Sequence, residues 1–170
     1  MRTAAGTIHL DSLVMATGFD AMTGALARID FRGRNAVSLR DQWQDGPSTY
    51  LGVAMSGFPN LFIVTGPGSP SVIGNVIHNG EHHVDWIAGC ITYARSRGSL
   101  HIEADAQAET SWMAHVAEVA GRTLFPEANS WYLGANVEGK PRVFMPYIGH
   151  GYRHTCAANA AEGYRGFEFR

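Results

Sequence analysis

Residues 60–86 read NLFIVTGPGSPSVIGNVIHNGEHHVDW, and the order of their parts decides the fold class. The apolar run Leu61, Phe62, Ile63, Val64 has the length and composition of a buried strand, and it breaks into the small-residue loop GPGSPS. Beyond that loop, apolar positions at Ile77, Val84, Ile87, Ala88 and Ile91 predict a helix. A strand, a tight loop and a helix N-terminus form the arrangement in which α/β proteins hold polar or anionic groups. Gly66 and Gly68 lack the Cβ atoms that would keep a ligand off the backbone. Pro70 removes one N–H, so the available amides lie around residues 72–77. The stretch predicts a bound cofactor.

Working outward, the 170 residues correspond to about one domain, and 45% hydrophobic residues suffice for a core. Net charge is −2, with 13 basic against 15 acidic residues, which gives no nucleic-acid footprint. Cys90 and Cys156 stand alone without CxxC spacing and read as small buried hydrophobes in a reducing compartment. The first ten residues lack the apolar centre of a signal peptide, and no apolar run reaches the roughly 18 residues of a membrane span. The expectation is a soluble cytoplasmic protein with no membrane or nucleic-acid partner.

Residues 7–10 and 12–16 read as short strands, the second apolar enough to be buried. Residues 21–57, punctuated by Gly33, Gly46, Pro47 and Gly52, predict mostly loop with short strands. The helix that begins near Asn75 extends to about residue 97 and closes at Gly98. A second helix over 106–123 has Asp105 as its N-cap and Trp112, Val116 and Val119 on one face. Residues 129–146 read as a long loop, residues 152–162 as a last helix, and residues 164–169 as an edge strand. No complete GxGxxG fingerprint occurs, and two buried-type strands are too few for a sheet covered on both faces. Either this is a small α+β domain with hidden edges or it is the back end of a larger enzyme; the residues favour the second.

Four blocks now carry a resemblance: LVMATGFDAMTGALARIDFRGR (13–34), GPSTYLGVAMSGFPNLFIVTGPGSPS (46–71), EHHVDWI (81–87) and NSWYLGANVEGKPRVFMPYIG (129–149). Together they strongly resemble the C-terminal portion of flavin-containing Baeyer–Villiger monooxygenases, in the family's order and across essentially the whole chain. The resemblance implies an α/β fold in which an FAD domain is split by an inserted NADP domain. Residues 1–57 would then be the end of the NADP-binding domain and the return linker. Residues 58–170 would hold the last strand and helix of the split FAD domain, a helical extension and a mobile loop over 129–146. The family's dinucleotide fingerprints, its His- and Trp-containing signature and its flavin-site arginine have no counterpart here, so no catalytic residue is expected within the chain. Residues 1–6 resemble an interior hairpin of the family, which predicts an internal start or a truncated reading frame.

Roles implied by the resemblance fall on few residues. Asn75 and Val76 open the helix whose amides the family sets against the pyrimidine end of FAD. Independently, the positive end of a helix stabilises negative charge by roughly 0.3–2 kcal/mol, and reduced flavin is negative near N1 and O2. Thr17 and Gly18 let a strand end approach the cofactor. Ser71, Val72, Ile73 and Met145 correspond to the substrate pocket. Trp131 matches a mobile-loop tryptophan that contacts NADP, an indole being able to stack and donate at once; Lys140 shares that loop. The implied function is FAD- and NADPH-dependent insertion of one oxygen atom from O2 into a ketone, giving an ester or lactone. Its partners would be a small-molecule ketone, O2 and the missing N-terminal FAD/NADP domains.

Two other patterns compete. Gly134–Lys140 has P-loop spacing, but Pro141 stands where a hydroxyl must bind magnesium, which excludes a nucleotide triphosphatase. His78, Glu81 and His82 read H-x-x-E-H, with two histidines at i and i+4 able to ligate zinc and Glu81 as general base. Gly80 weakens the helix there, and no third ligand is announced. The alternatives to a monooxygenase are therefore a silent truncated fragment or subunit and, less favoured, a zinc hydrolase.

Overall fold

Capping signals in the sequence place the long helices. A computed structural model describes residues 1–16, 18–70, 74–135 and 137–170. In chain order the elements are β1 (Arg2–Thr3), β2 (Gly6–Thr7), α1 (Gly24–Ala27), α2 (Leu39–Gln42), α3 (Val76–Ser96), β3 (Ile102–Ala104), α4 (Ala106–Gly121), α5 (Tyr152–Ala161) and β4 (Phe167–Phe169). Asn75 caps α3 by accepting from the His78 N–H at 3.1 Å, and Asp105 caps α4 by accepting from the Ala108 N–H at 2.9 Å. Gly98 stands just beyond α3 with φ +72°, a conformation that costs glycine little.

The buried stripe of α3 differs from the aliphatic pattern. His83, Trp86, Cys90 and Ala94 face the interior, whereas Ile77 is 78% exposed and Val84 55%. Aromatic area decides the rotation of the helix. Trp86 packs on Tyr164 and Phe167 with ring centroids 5.1 and 5.4 Å apart, and its indole N–H donates to the Cys156 carbonyl at 2.9 Å. On α4, Trp112, Val116 and Ala120 are buried, with Val119 packed beside them. Cys90 and Cys156 are both buried free thiols, and burial pushes them up to about 12 and about 11.

Strands are sparser than the sequence predicts. β3 and β4 pair antiparallel with Ile102 opposite Phe169, and β1 pairs with β2; these are two-stranded sheets. Of the predicted strand at 7–10 only Thr7 enters a ladder, and residues 12–16 enter none. Instead Leu13, Val14 and Met15 stand 57%, 84% and 72% exposed. The run from Leu61 also lies outside a ladder, although the Ile63 N–H donates to the Val53 carbonyl at 2.8 Å and Ile63 is buried. An apolar run becomes a sheet strand only where a neighbour supplies matching backbone groups. Residues 21–57 contain short helices where short strands were expected, α2 being capped by Ser38, whose side chain accepts from the Asp41 N–H at 3.0 Å.

Two buried carboxylates tie this region to the helical part. Glu103 accepts from Arg34 Nε and from the Gly57 N–H, both at 2.8 Å, and the guanidinium holds its carboxyl below the ordinary range. Glu109 accepts from the Ser56 N–H at 2.6 Å. Leu39, Trp43, Met55, Phe58 and Ile63 form a small core apart from the larger one that holds Leu51, Trp86, Cys90, Trp112 and Val116. Among the described residues no helix is long and apolar enough to cross a membrane.

Candidate functional site

The first turn of α3 leaves the Val76 and Ile77 amides without intrahelical acceptors, since only the His78 N–H is taken by Asn75. No acidic residue occupies that turn, so the helix end keeps its positive character. Val76 lines a cleft of about 380 Å³ with Ala21, Met22, Ile63, Thr65 and Trp131. Two of the predicted cofactor positions, Val76 and Trp131, thus share one opening despite lying 55 residues apart in the sequence. Ala21 and Met22 belong to the same opening, and sequence reasoning did not single them out.

Trp131 begins a short 3-10 turn, Trp131–Leu133, capped by Ser130, and its ring packs on Tyr132 with centroids 4.1 Å apart. Several contacts hold the loop bearing it in this structure. Lys140 pairs with Asp20, the Met145 N–H donates to the Tyr132 carbonyl at 3.0 Å, and Arg142 donates to Asn129 at 2.9 Å. Met145, read as a pocket position, is only 1% exposed, and its carbonyl accepts from the Gly68 N–H at 2.6 Å. It therefore joins the Trp131 loop to the glycine-rich loop through its backbone. Gly18 has φ +80°, and among the described residues nothing comes within 4 Å of where a Cβ would stand, which leaves room for close approach. Thr17, Ser71, Val72 and Ile73 lie outside the described residues.

The loop glycines have a different reason than the sequence suggests. A Cβ on Gly66 would meet the Gly52 carbonyl oxygen at 2.7 Å, and one on Gly68 would meet Thr49 Oγ1 at 3.0 Å and Trp112 Nε1 at 3.1 Å. The chain itself occupies the space these glycines vacate.

The H-x-x-E-H pattern does not assemble a metal site. His78 faces Arg153, whose Nη1 lies 2.7 Å from its Nε2, and a guanidinium there repels a cation. Glu81 sits 3.5 Å from the other ring nitrogen. Among the described residues no group of three ligating side chains could hold a metal ion. Burial, with Arg153 adding to it, moves His82 below the ordinary histidine range.

The neighbouring His83 lies outside that pattern. It is buried, its Nδ1 accepts from the Thr65 N–H at 2.9 Å, and its Nε2 lies 2.8 Å from Tyr152 Oη. The usable signal was spacing: 83, 86, 90 and 94 lie on one helical face.

No family model matches the chain. It is 42% identical over 168 residues to the acetone monooxygenase (methyl acetate-forming) of Gordonia sp. (strain TY-5), covering 96% of this chain and 32% of that protein. It is 40% identical to a Baeyer–Villiger monooxygenase of Pseudooceanicola batsensis (strain ATCC BAA-863 / DSM 15984 / KCTC 12145 / HTCC2597), covering 96% of this chain and 30% of that one. A crystal structure of an OTEMO complex with FAD and NADP superposes with a TM-score of 0.90 at 39% identity, covering 99% of this chain and 31% of that one. The chain spans about a third of the length of the curated relatives it matches. Agreement in both sequence and fold over nearly all of its own length makes the chain a member of the flavin-containing Baeyer–Villiger monooxygenase family.

Proposed function

We propose that this chain is the portion of an FAD- and NADPH-dependent monooxygenase that closes the cofactor site, in an enzyme converting a ketone to an ester or lactone. The carrying observation is the cleft shared by the α3 start and Trp131. The residues fit a flavin: a helix whose first turn carries no acidic residue, with exposed apolar surface at Val64 and Ile77. The flavin, when bound, supplies the oxidation, by which one oxygen atom of O2 enters the ketone and the other leaves as water.

The chain's own residues bind and orient. Amides at Val76 and Ile77, beside the Asn75 cap, would hold the anionic pyrimidine end of FAD, and the resemblance assigns Thr17 and Gly18 to the same cofactor. Trp131 covers the NADP side, held in place by the Lys140–Asp20 pair. By the resemblance, Ser71, Val72, Ile73 and Met145 are assigned to the ketone side, Met145 acting there through its backbone contact to Gly68. Residues 1–57 complete the NADP-binding part and 58–170 the FAD-binding part. Because the relatives are about three times as long, turnover requires segments corresponding to the rest of their length. The near-neutral charge supports a small-molecule partner over nucleic acid, and the reading places the enzyme in the cytoplasm.

The test is spectroscopic. The purified 170-residue chain should lose FAD on gel filtration and oxidise no NADPH with ketones. Within a longer polypeptide that supplies the remaining segments, flavin should be retained and Trp131→Ala should weaken NADP binding more than FAD binding. A variant that lost flavin instead would move Trp131 to the other cofactor.

A further inference from the structure

We infer that His83 is a positioning residue for the glycine-rich loop, acting only as the neutral tautomer protonated at Nε2: it accepts from the Thr65 amide and donates to Tyr152. Hydrogen-bond bookkeeping allows one solution. The Thr65 N–H can only donate, so Nδ1 of His83 must carry a lone pair. Tyr152 Oη lies 2.5 Å from the Leu51 carbonyl, which can only accept, so the hydroxyl proton is spent there. Nε2 of His83 must therefore donate to Tyr152. The relay runs Leu51, Tyr152, His83, Thr65, and it pins α3, α5 and two loops at one buried point.

Its consequence falls on the loop after Thr65. Thr65 has φ +56°, unusual for a β-branched residue, and stays there only if its surroundings hold it. The turn beyond it is fixed by further bonds: Thr49 Oγ1 to the Pro67 carbonyl at 2.5 Å, Trp112 Nε1 to the Gly68 carbonyl at 2.9 Å, and Ser69 Oγ to the Gly66 carbonyl at 2.7 Å. Thr65 is where the loop enters, and it lines the cleft with Val76 and Trp131. His83 thus sets one wall of the cleft without facing it. The charged and titratable groups acting on it are His82 on α3 and Tyr152 and Arg153 on α5, and the Cys156 thiol on α5 lies against Tyr152. Burial, with positive charge from His82 and Arg153, holds His83 down to about 4, so the relay survives mild acid.

The cofactor meaning of this wall rests on the proposed function, but its test needs no flavin. Nitrogen NMR of the labelled 170-residue chain at pH 7 should show His83 unprotonated at Nδ1 and protonated at Nε2, and unchanged down to pH 5. The opposite tautomer, or titration near pH 6.5, would overturn the inference. Two variants divide the relay. His83→Asn keeps an acceptor near the Nδ1 position, whereas His83→Gln keeps a donor near Nε2. Exchange of the Thr65 amide should stay within about threefold in the first and speed by about tenfold in the second, the fold-change of one lost hydrogen bond. Equal effects would contradict the division. If either variant fails to fold, Tyr152→Phe should shift the His83 Nε2 signal alone, and the wild-type spectrum still decides the tautomer. Failure of the relay leaves the flavin reading untouched, and absent flavin binding leaves the relay intact.

Discussion

The stripe of α3 at His83, Trp86, Cys90 and Ala94 and the N-terminal stretch Leu13, Val14, Met15 are opposites in burial. The first mixes a polar ring and a thiol with its apolar members, yet all four are buried. The second is wholly apolar and stands more than half exposed. Hydrophobicity alone does not choose; a matching surface does. Tyr164, Phe167 and α5 provide that surface to α3 within the chain. For residues 13–15 no such surface exists among the described residues, and a contiguous exposed apolar stretch marks an interaction face.

Substitutions on the two sides of this contrast should separate widely. Trp86→Ala removes a buried ring that packs on Tyr164 at 5.1 Å and donates to the Cys156 carbonyl. It should cost about 3–5 kcal/mol in urea unfolding, enough to unfold a marginal chain. A loss below about 1 kcal/mol would mean that the aromatic cluster does not carry the fold.

Acid gives the next effect. His83 sits at about 4 against an ordinary value of 6.5, so the unfolded chain binds the proton first as pH falls. Its contribution is full above about pH 6.5, drains away between there and about pH 4, and is spent below. The gap corresponds to about 3 kcal/mol, an order of magnitude to be read from unfolding free energies at pH 7 and pH 4. In His83→Asn this part of the pH dependence should vanish.

Asp105→Ala should cost about 1 kcal/mol by uncapping α4. Val14→Asp, by contrast, should change the stability of the isolated chain by less than about 0.5 kcal/mol, because nothing packed is disturbed. A large loss from Val14→Asp would show that residues 13–15 are already covered, and the contrast would collapse.

Where signals are local, the sequence is legible. Asn75, Asp105 and Gly98 each act on groups within a few residues, and they mark α3 and α4 to within two residues. β3 was invisible because three residues, Ile102–Ala104, show no period and gain strand character only from Phe167–Phe169, more than sixty residues on. The face of α3 was misjudged because aromatic packing outweighed aliphatic spacing. At the site, Val76 and Trp131 came from family resemblance, and only the fold shows that they share a cleft. His83 escaped because its chemistry lies in what it fixes, Thr65 and Tyr152, and neither pairing is encoded nearby in the chain.

The most direct test of the central claim is complementation. The chain is mixed with the segments of a relative lying outside the matched third, and flavin, NADPH consumption with a ketone and amide protection are followed together. The account predicts a yellow complex that oxidises NADPH, with new protection at residues 13–15 and at the first turn of α3. A chain that stays colourless, with both regions exchanging as in isolation, would contradict it.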